Sequence, residues 1–172
     1  MTQENRTIES IIQEAELLCR EHIPFPVTVW ATELPPDKLG RGGEIYGLPV
    51  IALSSNLIHL EDEGITDIVL HEIAHVLAWR EGDFKHGKQW RRIATLIGAT
   101  PRARSPFRLR NTPEAAAYEE RATAYAYAKM FKGKEETATP CPYTKEEIAA
   151  KCEQLQAMLK EFRQANKSTA AA

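Results

Sequence analysis

The chain has 172 residues, an apolar share of 43% and a formal net charge of −2. That length fits one domain, or one domain with a tail, able to bury roughly two-thirds of its unfolded surface. The near-balanced charge argues against both a globally basic nucleic-acid binder and an acidic disordered chain. Cys19, Cys141 and Cys152 are odd in number, widely spaced and form no C-x-x-C pair, which argues against a disulfide scaffold. The start MTQENRTIES lacks the basic and apolar runs of a secretory signal, and no stretch approaches about 18 uninterrupted apolar residues. The expected location is therefore the cytoplasm or an equivalent reducing space, with no membrane segment.

Taken in chain order, Ile8, Ile11, Ile12, Ala15, Leu18 and Cys19 recur at helical spacing behind Thr7 as a cap, predicting an amphipathic helix over 7–21. Pro24 and Pro26 punctuate the chain. Strand-like runs follow at 27–30, 44–46 and 50–53, with Gly40, Gly42, Gly43 and Gly47 read as separators. Residues 54–64 read as loop and short turn, and Thr66 and Asp67 offer a start for the apolar helical run 68–79, which Gly82 ends. Trp90, Ile93, Ala94 and Ile97 share one side of a helix over 88–97, closed by Gly98 and Pro101. The stretch 100–110 is basic and irregular. Thr112 and Pro113 form a cap and first-turn pair for a helix through Met130. A linker is expected at 133–143, then a capping box from Thr144 and Glu147 opening a last amphipathic helix to Gln164 and a frayed tail. No internal repeat is visible. The expected division is 1–132 as the functional domain and 133–172 as linker, helix and tail.

The chemistry concentrates in HEIAHVLAW, where His71 and His75 lie four apart and so one above the other on a helix face, able to share a metal ion. Zinc in a hydrolase takes three protein ligands and keeps a fourth position open, and a carboxylate beside the first histidine serves as base. Glu72 stands there. The plain alternative, two histidines decorating a helix, fits poorly with a segment otherwise so apolar. A third ligand is needed, and Ala78 and Glu81 occupy the places where the metzincin pattern requires glycine and histidine. The next histidine is His86 in FKHGKQW, with Gly82 to turn the chain off the helix and Gly87 to bend it back. Glu119 and Glu120, in the helix from Pro113, are the rival third ligands; their bland reading is salt bridges or contacts to a ligand histidine.

HEIAH, a short loop, His-Gly-x-x-Trp at His86 to Trp90, and Leu-Ile-Gly at Leu96 to Gly98 together resemble the SprT-like (Spartan) metalloprotease domain. The resemblance spans roughly 7–104 and includes GEIYGLPVIALS ahead of the motif helix. It implies that His71, His75 and His86 ligate zinc, that Glu72 is the catalytic acid/base, and that the substrate is protein; eukaryotic members resemble proteases of DNA-linked repair. Many relatives carry a cysteine zinc ribbon after this domain, whereas this chain has no C-x-x-C and continues in helices. The run YEERATAYAYAKM resembles ImmA-like regulatory peptidases that cut a repressor, the reading in which Glu119 or Glu120 would be the ligand.

Lys85, Lys88, Arg91, Arg92, Arg102, Arg104, Arg108 and Arg110 face only Asp83 between 83 and 110, a basic belt that either tracks a DNA backbone or is a solvated face. Trp30, Trp79 and Trp90 read as core aromatics, and His22 and His59 as structural or exposed. Tyr46, Tyr118 and Tyr125 are candidates for an oxyanion partner among which sequence does not choose. The expected fold class is α+β and zincin-like: an N-terminal helix on a short three-stranded or larger sheet, an active-site helix, and further C-terminal helices. The edge of the strand over 50–53 is expected to hold an extended peptide. A reading of another class is a DNA- or protein-binding module with a structural zinc, closed by a fourth ligand such as Cys19.

Overall fold

The computed structural model describes residues 6–104, 107–132 and 140–170. Helix α1 (Ile8–His22) starts where Thr7 accepts the Ser10 amide through its hydroxyl at 3.2 Å, and it buries the stripe Ile11, Ala15 and Cys19. Strand β1 (Thr28–Thr32) runs parallel to β3 (Leu48–Ser54), pairing Thr28 with Val50 and Thr32 with Ser54, while β2 (Gly40–Ile45) runs antiparallel to β3. The sheet order is β1-β3-β2. A two-residue turn joins β2 to β3, and Tyr46 (φ 50°) and Gly47 (φ 84°) both take the left-handed conformation that such hairpins require.

Each residue of β3 is buried, as expected of a strand covered on both faces. Val29, Ile51 and Leu53 point into the main core with α1 and with α2 (Asp62–Trp79). The alternate residues Trp30, Val50 and Ala52 point the other way, where Ile148 of α5 (Lys145–Ala170) covers them beside Tyr143. The class is α+β, with helices on both faces of a small sheet. Helices α3 (Lys88–Ile97) and α4 (Pro113–Lys132) complete it, and a 3-10 turn at Ser55–His59 leads into α2. No helix among the described residues is long and apolar enough to cross a membrane.

Four expectations change. The strand expected at 44–46 is β2 and begins at Gly40, so its glycines belong to the strand and do not separate strands. A Cβ at Gly42 would collide with the Glu72 carbonyl oxygen, and one at Gly40 would come within 2.7 Å of Glu72 Cγ. The glycines let β2 lie directly against α2. Second, β3 is the central strand and both its edges are paired, so the outer strands among the described residues are β1 and β2. Third, α2 begins at Asp62, earlier than Thr66, with Asp62 and Glu63 in its first turn where the helix dipole favours negative charge. The capping box appears as read, Thr144 N–H donating to Glu147 Oε2 at 2.7 Å and Glu147 N–H to Thr144 Oγ1 at 3.2 Å. Helix α5 continues past Gln164 to Ala170, where a frayed tail was expected. Of the expected linker, 133–139 lie outside the described residues.

Candidate metal centre

The end of α2 sets the geometry. Asp83 N–H donates to Ala78 O at 3.0 Å and Gly82 N–H to Trp79 O at 3.1 Å, with Gly82 left-handed at φ 80°, the pattern of a Schellman cap. The chain turns off the helix there and returns along it. Asp83 then braces the returning loop: its carboxylate accepts the amides of Lys85 and Gly87 at 3.3 Å and of Trp90 at 3.1 Å. These bonds start α3, whose own N-cap Gly87 has no side chain to do so, and they hold His86 against α2.

His71, His75 and His86 thereby converge, as the one group among the described residues whose donor atoms could jointly hold a metal ion. His86 Nε2 lies 3.0 Å from His71 Nε2 and 3.1 Å from His75 Nε2. Three nitrogens at about 2.0–2.1 Å from a tetrahedral ion would stand about 3.3–3.4 Å apart, close to what is seen. Trp90, fully buried, packs its ring 4.7 Å from His71, 5.3 Å from His75 and 4.5 Å from His86, walling off one side. Burial, then the His86 ring, pushes His71 down to about 4; burial, then His71 and His86, pushes His75 down to about 3; His86 is lowered chiefly by burial. All three are neutral near pH 7 and present lone pairs, the form a metal requires.

Glu72 is buried beside them, and its Oε2 accepts the Gly42 amide at 2.6 Å. Burial pushes its carboxyl up to about 8, against the opposing pull of the Gly42 N–H and Arg41. A carboxyl so placed holds or releases a proton near neutrality. The cluster opens into a cleft of about 1290 Å³, walled by β2, by Phe84 and Trp79, and by Tyr118, Glu119 and Ala122 of α4.

Residues 29–113 match the model of the SprT-like family. This segment is similar to that family. The crystal structure of the metallopeptidase zymogen abylysin of Pyrococcus abyssi is similar at 19% identity over 68% of this chain and 92% of that one, with a TM-score of 0.35. No curated protein matches the chain. The family match and the histidine cluster together support a metallopeptidase.

The structure brings His71, Glu72, His75 and His86 together, all within the matched segment, and leaves Glu119 and Glu120 exposed on α4, Glu119 on the cleft wall. Cys19 packs in the core face of α1, where burial pushes its thiol up to about 12. Among the tyrosines, Tyr118 donates its hydroxyl to Pro36 O at 2.9 Å, Tyr46 is 75% exposed at the cleft rim, and Tyr125 lies beside Lys129. Trp30 and Trp90 are core residues as expected, while Trp79 is half-buried and meets Phe84 at 4.6 Å. His59 stacks on Tyr118. In the basic belt, Arg110 is engaged with Leu60 O at 2.7 Å and Asp62 at 2.8 Å, whereas Lys85, Lys88, Arg91, Arg92, Arg102, Arg104 and Arg108 are exposed. Sequence reading missed Asp83 as the brace of the His86 loop and Gly40 and Gly42 as the seat of Glu72. An acid three residues before a histidine ligand, and alternate glycines ahead of an HExxH helix, are the signals that point to them.

Proposed function

We propose that this chain is a zinc-dependent peptidase in which His71, His75 and His86 hold the ion and Glu72 moves the proton. The observation that carries the reading is the convergence of three neutral imidazole nitrogens beside one buried carboxyl. Bound there, zinc supplies Lewis acidity and makes water acidic near neutral pH. Glu72 accepts the proton from the attacking water and returns it to the leaving amine, and the Gly42 amide keeps its carboxylate oriented between the two transfers. Trp90 excludes water behind the histidines and fixes their rings. The cleft between β2 and α4 receives the polypeptide, and β2, an outer strand of the sheet, offers its outer edge for main-chain pairing in place of the central β3. Three ligands among the described residues agree with an open site and disfavour a closed structural one.

The exposed lysines and arginines from Lys85 to Arg108 support a polyanion such as DNA as a partner of the same domain, bound through salt-sensitive phosphate contacts. Three dispersed cysteines support a reducing compartment such as the cytoplasm. Zinc stoichiometry and digestion of an unfolded protein, with and without single-stranded DNA, test this in wild type and His86→Ala. Wild type is expected to hold one zinc and cleave, and His86→Ala to lose both. Full zinc retention in His86→Ala would move the third ligand to Glu119 or Glu120, and DNA without effect on rate would remove the polyanion from the reading.

A further inference from the structure

Three buried polar atoms beside the histidine cluster lack a hydrogen-bond partner among the described residues: Trp90 Nε1, and two on residues one turn apart on α2, Asp67 Oδ2 and His71 Nδ1. Residues four apart share a helix face, and side chains lean towards the helix N-terminus, so the His71 ring lies back over the turn that bears Asp67. Its Nε2 edge is committed to the cluster, 3.0 Å from His86 Nε2. Ring geometry therefore directs Nδ1 away from the cluster. The carboxylate of Asp67 is fixed by its other oxygen, since Oδ1 accepts the Thr100 amide at 2.7 Å beyond the end of α3. That leaves Oδ2 as an acceptor without a donor. A neutral imidazole whose Nε2 is free for a metal carries its proton on Nδ1 and needs an acceptor there. Each atom supplies what the other lacks. The Asp67 charge is already felt at the His71 ring, where it opposes the downward push of burial.

We propose that Asp67 is a positioning residue of the metal centre: its Oδ2 accepts the Nδ1–H of His71, directly or through one water, and so fixes the tautomer that leaves Nε2 free for the ion. The inference rests on the metal-binding reading above and deepens it. Carboxylate partners of ligand histidines are a general means of setting ring orientation and ligand strength, and losing one typically weakens metal binding about 10–100-fold. Asp67 would also couple the centre to the close of α3 through Thr100.

The test is Asp67→Asn. Only the amide oxygen can accept the Thr100 N–H, so the NH₂ group must face His71, where it donates and turns Nδ1 into an acceptor. The metal-free protein, labelled with ¹⁵N-histidine and held near pH 8, reports each tautomer through long-range ¹H–¹⁵N correlation, with His71 assigned from a His71→Gln spectrum. Wild type is expected to show His71 protonated on Nδ1, and Asp67→Asn to show it on Nε2. Zinc affinity by chelator competition should fall about 10–100-fold in the variant, with its fold retained by circular dichroism. An unchanged tautomer and unchanged zinc affinity in Asp67→Asn would overturn the proposal and reduce Asp67 to an anchor for Thr100. If wild type binds zinc no better than a His71→Ala, His75→Ala variant, the metal-centre reading itself fails. The tautomer comparison in metal-free protein still decides the Asp67–His71 contact.

Discussion

Replacing Gly42 by alanine tests how β2 is seated on α2. The added Cβ would overlap the Glu72 carbonyl oxygen and approach Glu72 C at 3.0 Å and Cα at 3.1 Å, all backbone atoms of α2 that no rotamer change can move. Strand and helix must therefore separate. Overpacking of this kind costs about 1–3 kcal/mol, and displacing the Gly42 amide forfeits its bond to the Glu72 carboxyl, worth about 1.5–3 kcal/mol. The expected loss is about 2.5–6 kcal/mol, which for a chain of this size lowers Tm by about 5–24 °C. Gly47→Ala is the control: nothing lies within 4 Å of its Cβ, and only its positive φ opposes alanine, at about 1–2 kcal/mol. Gly40→Ala differs again, because its Cβ meets the Glu72 side chain, Oε1 at 2.8 Å, so activity should fall more than stability. Urea and thermal unfolding by circular dichroism, with peptidase assays well below each Tm, read all three. A Gly42→Ala variant within about 1 kcal/mol of wild type and fully active would refute the close seating of β2.

Acidification should destabilise the metal-free protein. His71, His75 and His86 have folded pKa values below their ordinary 6.5, so the unfolded chain takes up protons that the folded one refuses, and stability falls from pH 6.5 towards about 4 and 3. Glu72 acts with the opposite sign, its raised pKa eroding stability as pH climbs from 4.5 to about 8, so metal-free Glu72→Gln should gain on wild type across that interval in urea titrations. Asp83→Ala removes the acceptor of three amides and should cost about 1–2 kcal/mol in unfolding experiments while weakening zinc retention through the loosened His86 loop. Ile148→Ala should cost about 2–5 kcal/mol if α5 is integral to the fold; a change under about 0.5 kcal/mol would show that α5 does not support the sheet.

What the sequence disclosed follows from which contacts are local. The periodic apolar residues of α1 and α3, the Thr144–Glu147 box and the i, i+4 histidines are written within one helix each, and all stand where they were expected. His86 was legible because only a short loop separates it from the motif helix. Strand β2 was misjudged because glycine disfavours strands locally, and its reason for being there, close approach of Glu72, is thirty residues away. The start of α2 was placed late because 54–64 read as loop and short turn, whereas the structure packs Gly64 of α2 against Phe107, with a Cβ there only 3.0 Å from the Phe107 Cβ. The central position of β3 depends on a parallel pairing with β1 that no local pattern encodes. Asp83 acts through the amides of an irregular loop that no periodicity announces, and Asp67, though one turn from His71, is fixed by Thr100 at the far end of α3.

The account stands or falls on the role of Glu72 beside the three histidines. The direct measurement is the rate of peptide-bond cleavage by wild type and Glu72→Gln at equal, measured zinc content. Loss of a positioned general base costs about 10²–10⁴-fold, so the account predicts a rate at least about a hundred times lower in the variant with zinc still bound. Equal rates in the two proteins at equal zinc would contradict it.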